Sequence, residues 1–120
     1  MKYSPTTVEK PWGFFREFTH NQSSTVKSIV VKPGEALSLQ KHANREEFWR
    51  VVSGKPTITV GDSVQTAAPG DEFFISKETP HRIAVDSNER LPAEIMEISF
   101  GTFDENDIIR LEDKYGRVTK

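Results

Sequence analysis

Apolar and polar positions in this chain alternate in short runs and do not recur at helical spacing. Thr57-Ile58-Thr59-Val60 alternates and is β-branched throughout, the pattern of a half-buried strand. Runs of the same kind cover 14–18, 26–31, 36–42, 48–53, 63–66, 72–75, 82–85 and 93–100. Turn signals separate them, among them Lys32-Pro33-Gly34, Ser53-Gly54-Lys55-Pro56, Gly61-Asp62, Pro69-Gly70-Asp71 and Asp86-Ser87-Asn88. Many short strands punctuated in this way predict an all-β sandwich or barrel. The opening Glu9-Lys10-Pro11-Trp12-Gly13 reads as a turn, and 104–113 reads as a short helical turn in a C-terminal tail. With no repeat, linker or low-complexity tract, residues 1–120 read as one domain with a barrel core at about 25–100.

Composition narrows the classes of function. A formal charge of −2 gives no basic field for nucleic acid and no reason to invoke a membrane surface. There is no cysteine, which excludes disulfides and thiolate metal sites. Neither a signal-peptide run nor a membrane-length apolar segment is present, so a soluble, cytoplasmic domain is expected. Histidine is scarce: only His20, His42 and His81 occur, so a histidine-containing metal site must use nearly all of them.

The stretch from Gln40 to Glu47 carries the chemistry. Gln40 and His42 are two apart on a strand and leave the same face, and Glu47 follows a short turn. With His81 from a facing hairpin, these four residues are expected to converge on one divalent metal. Such a mixed nitrogen and oxygen set suits zinc, with manganese, iron or nickel as alternatives. Lys41 alternates with the ligands and should point away. His20, beside a polar turn, is expected to be exposed.

Longer signatures point to a family. Pro33-Gly34 with Gln40-x-His42, Glu47 and Gly54 resembles the first cupin motif, and Pro69-Gly70-Asp71 to Pro80-His81 resembles the second. Val8-Glu9-Lys10-Pro11-Trp12-Gly13, Thr79-Pro80-His81-Arg82 and Glu105-x-Asp107-Ile108-Ile109-Arg110 are similar to the cupin domain of type II mannose-6-phosphate isomerases. That domain is often the C-terminal part of a bifunctional isomerase/mannose-1-phosphate guanylyltransferase. The resemblance implies a cupin double-stranded β-helix, or jelly-roll barrel, here expected as a stand-alone chain. Three positions depart from the family pattern: Asn44 and Phe48 stand where histidine is usual, and Glu78 stands where glycine is usual.

The implied activity is metal-dependent aldose–ketose isomerisation of a sugar phosphate, mannose 6-phosphate to fructose 6-phosphate, serving GDP-mannose and polysaccharide synthesis. Glu97, Glu46 and Arg82 are the candidate catalytic residues. Arg82, Arg110, Asn44 and Trp49 are candidates for substrate binding, and the Lys41/Arg45 pair offers further cations for phosphate. The apolar N-terminal strand and exposed sheet edges suggest a homodimer. Two rival readings stay open: a non-catalytic or regulatory sugar-binding cupin, and another cupin enzyme such as a different isomerase, an epimerase or an oxygenase.

Overall fold

A computed structural model describes residues 4–119. Eleven strands run in the order β1 (Thr6–Lys10), β2 (Gly13–Glu17), β3 (Ser24–Val31), β4 (Leu39–Lys41), β5 (Glu46–Ser53), β6 (Thr57–Val60), β7 (Ser63–Thr66), β8 (Glu72–Ile75), β9 (His81–Ala84), β10 (Ala93–Phe100) and β11 (Ile109–Glu112). They form a four-stranded sheet of order β3-β10-β5-β8, a five-stranded sheet of order β11-β4-β9-β6-β7, and a separate β1-β2 hairpin. From β3 to β11 the chain crosses between the two large sheets at every step except within β6-β7 and makes antiparallel pairs throughout. This is the expected all-β double-stranded β-helix. No described residue is helical, so no helix is long and apolar enough to cross a membrane.

The inner faces of both sheets supply one core. Val31, Trp49, Val51, Ile75, Ala93 and Ile95 come from one sheet, and Ile58 and Ile83 from the other. Trp49, Ile83, Ala93 and Ile95 have no solvent exposure, and each fully buried isoleucine contributes about 1.5–3 kcal/mol. The β5-β6 turn approaches the start of β10 so closely that a Cβ on Gly54 would lie 2.6 Å from the Pro92 carbonyl oxygen; with φ at +83°, only glycine fits.

Two sequence expectations fail. The tail holds no helical turn: Ile109–Glu112 is a strand that pairs with β4, placing Ile109 opposite Lys41 and Arg110 opposite Gln40. The sheet therefore continues beyond residue 100. The opening is not only a turn either, because Thr6–Lys10 pairs with Gly13–Glu17. Arg16 anchors this hairpin, donating to both oxygens of Glu72 at 2.6 and 2.9 Å. Trp12 (73% exposed) and Phe14 (56%) lie outside the core.

Candidate metal centre

Strand alternation and register build the site. Along β5, Glu47, Trp49 and Val51 share the inner face, and β10 sets Ser99 opposite Glu47 and Glu97 opposite Trp49. Across the other sheet, Arg110, Gln40 and His81 stand in one register row. His42 follows β4 directly. The two rows bring His42, Glu47 and His81 together, with one ligand atom from each lying within 4.8 Å of the others. All three are buried.

His42 Nε2 lies 3.7 Å and His81 Nε2 3.1 Å from Glu47 Oε1. His42 Nδ1 faces the Asp107 carbonyl at 2.6 Å, and His81 Nδ1 faces the Thr79 carbonyl at 2.8 Å. Carbonyls only accept, so both Nδ1 atoms carry a hydrogen and both rings turn Nε2 inward, where a neutral ring offers a lone pair. Glu47 Oε1 and His81 Nε2 make no hydrogen bond although both are buried. A buried carboxylate oxygen and a ring nitrogen turned toward one another are both ligand atoms that suit a cation. Donors about 2.0–2.2 Å from a tetrahedral zinc stand about 3.4 Å apart, and the two measured separations bracket that figure. The residues therefore fit a divalent ion. Gln40 lines the adjoining cavity, and its Oε1 accepts from Ser38 Oγ at 2.8 Å. An amide oxygen has two lone pairs, so one remains for an ion.

Charge is managed tightly. Burial pushes the Glu47 carboxyl up, but His81, His42 and Arg45 outweigh it and leave the group at about 2. Burial lowers His42, against the opposing pull of Glu47 and the Asp107 carbonyl. Glu97 is raised by burial and by the Glu47 charge, while the Trp49 indole, donating to Glu97 Oε2 at 2.9 Å, holds it down in part.

The centre opens onto a cavity of about 620 Å³ lined by Lys27, Gln40, Arg45, Glu47, Glu97 and Arg110 among others. Arg110 Nε is buried there without a hydrogen-bond partner. Trp49 does not line it; the indole stands edge-on behind His81, with ring centroids 5.4 Å apart. Arg82 is not at the cavity. It alternates with His81, so its guanidinium turns to the other face and donates to the Leu37 and Glu112 carbonyls at 3.2 and 3.4 Å. Glu46 alternates with Glu47 and likewise faces away. Asn44 is exposed, whereas His42, Glu47 and His81 are buried. Phe48 faces Phe18 on the outer side of β5. Lys41 turns to Glu78, 3.5 Å away, and His20 to Glu17, 3.3 Å away.

Arg45 is the residue the sequence reading undervalued. It is 7% exposed, donates through Nε to Glu47 Oε2 and through Nη2 to His42 Nε2, both at 3.2 Å, and stacks 4.4 Å over Phe103. Its bond to His42 uses the lone pair an ion would take, so this Arg45 rotamer and a bound ion exclude one another. The signal was available: Arg45 has the same strand parity as Glu47. Lys27, with Nζ 4.1 Å from the Phe103 ring centroid, has the parity of the core residue Val31.

Comparison with known proteins agrees with this architecture. The chain is 40% identical over 111 residues to the xanthan biosynthesis protein XanB of Xanthomonas campestris pv. campestris (strain B100), a match covering 92% of this chain and 23% of that protein. It is 34% identical over 112 residues to the mannose-1-phosphate guanylyltransferase ManC of Salmonella typhimurium, with the same coverages. The chain thus spans about a quarter of the length of these relatives. Among solved structures, the capsular polysaccharide assembling protein CapF of Staphylococcus aureus matches with a TM-score of 0.64 at 20% identity, over 92% of this chain and 35% of that one. A provisionally named sugar phosphate isomerase of Acidithiobacillus ferrooxidans matches with a TM-score of 0.58 at 26% identity, over 66% and 51%. The family described as mannose-6-phosphate isomerase C-terminal matches residues 2–113, and the chain belongs to that family.

Proposed function

We propose that this domain is a metal-dependent isomerase that interconverts mannose 6-phosphate and fructose 6-phosphate. The observation that carries the reading is the buried, unpartnered pair Glu47 Oε1 and His81 Nε2 beside His42, at the edge of a cavity with both cations and a second carboxylate. Gln40, His42, Glu47 and His81 would hold the ion, with zinc the best match to this donor set. When bound, the ion supplies Lewis-acid polarisation of the sugar carbonyl.

The chain's own residues do the rest. Arg110, whose buried Nε lacks a partner, would take the phosphate. Glu97 would carry the proton, taking it from C2 of the aldose and returning it to C1, while the hydroxyl proton on O2 passes to O1. A carboxyl raised by burial and by the Glu47 charge holds its proton more readily than a free one, which suits the return half of that transfer. The names of the relatives place them in polysaccharide and guanylyltransferase chemistry, which supports a cytoplasmic role in the supply of GDP-mannose. Exposed Trp12, Phe14, Val26 and Val30 support association with a second copy.

The test is turnover of mannose 6-phosphate by chelated protein reloaded with zinc, manganese or iron. Activity that disappears with the chelator and returns with one ion is expected. A protein that binds an ion but turns over nothing would overturn the isomerase and favour a binding cupin.

A further inference from the structure

The tail does more than complete a sheet. Asp107 lies in the segment joining β10 to β11 and touches the loop that follows the ligand strand at three points. Its Oδ1 accepts from the Ala43 N–H at 2.8 Å and its Oδ2 from the Asn44 N–H at 2.9 Å. Its carbonyl oxygen accepts from His42 Nδ1 at 2.6 Å. A turn of its own holds the residue in place: the Asp107 N–H donates to the Asp104 carbonyl at 3.0 Å, and the Asn106 N–H to Asp104 Oδ1 at 2.9 Å. Beyond it, β11 shares three residue pairs with β4, whereas β4 and β9 share one.

These contacts decide which way His42 points. The imidazole needs a fixed acceptor at Nδ1 to keep its proton there and its Nε2 lone pair inward, and Asp107 supplies that acceptor from its backbone. The carboxylate pins the backbone carrying that carbonyl, because it bridges two successive N–H groups by charge-assisted bonds. Without it, the carbonyl is no longer tied to the 42–44 loop and the ring can turn.

We propose that Asp107 is a positioning residue for the metal centre, orienting His42 through its carbonyl while its carboxylate locks the two loops together. This rests on the metal reading of His42, Glu47 and His81. The experiment titrates metal-free protein with zinc against a chromophoric chelator and records the His42 ring-nitrogen resonances. Asp107→Ala should bind zinc about 10–100-fold more weakly, the range for losing an outer-sphere partner of a ligating histidine. Its metal-free spectrum should show His42 no longer confined to the Nδ1–H tautomer. Asp107→Asn, which keeps one acceptor oxygen, should fall between it and the parent. Asp113→Ala, whose lost carboxylate serves Arg117 within the tail, should bind as the parent does.

Zinc affinity within twofold of the parent in Asp107→Ala would overturn the proposal. Should that variant not fold, parent-like affinity and tautomer in Asp107→Asn would overturn it equally. A parent protein that binds no zinc would sink the metal centre itself, and Asp107's role with it.

Discussion

The barrel has one inner surface but two kinds of interior. Along β9, Ile83 lies in the apolar core and His81, two residues away, lies in the polar cluster. Along β10, Ala93 and Ile95 give way to Glu97 and Ser99, and along β5 Val51 gives way to Glu47. Trp49 marks the border, with its ring against His81 and its N–H on Glu97. The apolar end contains little that needs a partner. The polar end leaves Glu47 Oε1, His81 Nε2 and Arg110 Nε unpartnered, and a buried unsatisfied group costs about 1–3 kcal/mol. The same pleat therefore carries stability at one end and binding chemistry at the other, and substitutions should separate them.

The sharpest test uses neighbours on one strand. His81→Gln should weaken zinc binding by more than about 100-fold, beyond the loss of an outer-sphere partner. Ile83→Ala should destabilise the fold by about 2–5 kcal/mol in urea while zinc affinity of the folded protein stays near the parent's. Loss of zinc affinity in Ile83→Ala at a temperature where it is folded would break the division. Next in size, Glu97→Gln should lower turnover about 10²–10⁴-fold with zinc still bound, read by steady-state kinetics beside the chelator titration.

Acid should also act on the polar end. In the metal-free protein, His42 is lowered from 6.5, so its contribution is present above 6.5 and is lost as pH falls below that value. Glu97 is raised from 4.5, so its contribution is present below 4.5 and is lost as pH rises through its folded value. The two have opposite signs: the His42 contribution fades as pH falls from 6.5, and the Glu97 contribution fades as pH rises from 4.5. Glu47, at about 2 in the fold, contributes above 4.5 and loses that contribution as pH falls from 4.5 through 2. Urea midpoints should show that His42→Gln removes the loss of stability below 6.5 and leaves the Glu97 slope, with stability rising as pH falls toward 4.5. Ile83→Ala should keep the parent's pH profile at lower overall stability.

The smallest effect concerns Glu78, which holds φ at +64° where the family usually has glycine, and donates its N–H to the His42 carbonyl at 2.8 Å. A left-handed non-glycine residue costs roughly 1–2 kcal/mol, while the extra freedom of unfolded glycine costs roughly 0.5–1 kcal/mol. Glu78→Gly should therefore stabilise the protein by up to about 1 kcal/mol, seen as a slightly higher melting temperature.

Much of this was legible because a strand's period is two. The runs at 26–31, 57–60 and 93–100 announced their strands, and scarcity singled out His42 and His81. Parity also placed Arg45 beside Glu47, but adjacency to His81 drew attention to Arg82, which the same rule turns away. β1 escaped notice because its strand lies in an exposed hairpin with no face in the core, so its residues carry little burial pattern. β11 escaped because Ile109 and Leu111 are exposed, while the inward residue is Arg110, the reverse of the usual hydrophobic signal. Nothing local in the sequence showed that Asp107 would meet residues 63 and 64 positions away.

That separation has a consequence for synthesis. A chain made from the N-terminus has all the strands of the apolar core, together with His42, Glu47 and His81, before Asp107 and β11 exist. Contacts distant in sequence wait on chain closure, and domains begin folding while still being made. The hydrophobic end can thus assemble on the ribosome while the cavity wall is missing, and His42 gains its proton acceptor only when the tail emerges. An ion captured at the finished site would then arrive as the final seal on a fold already formed.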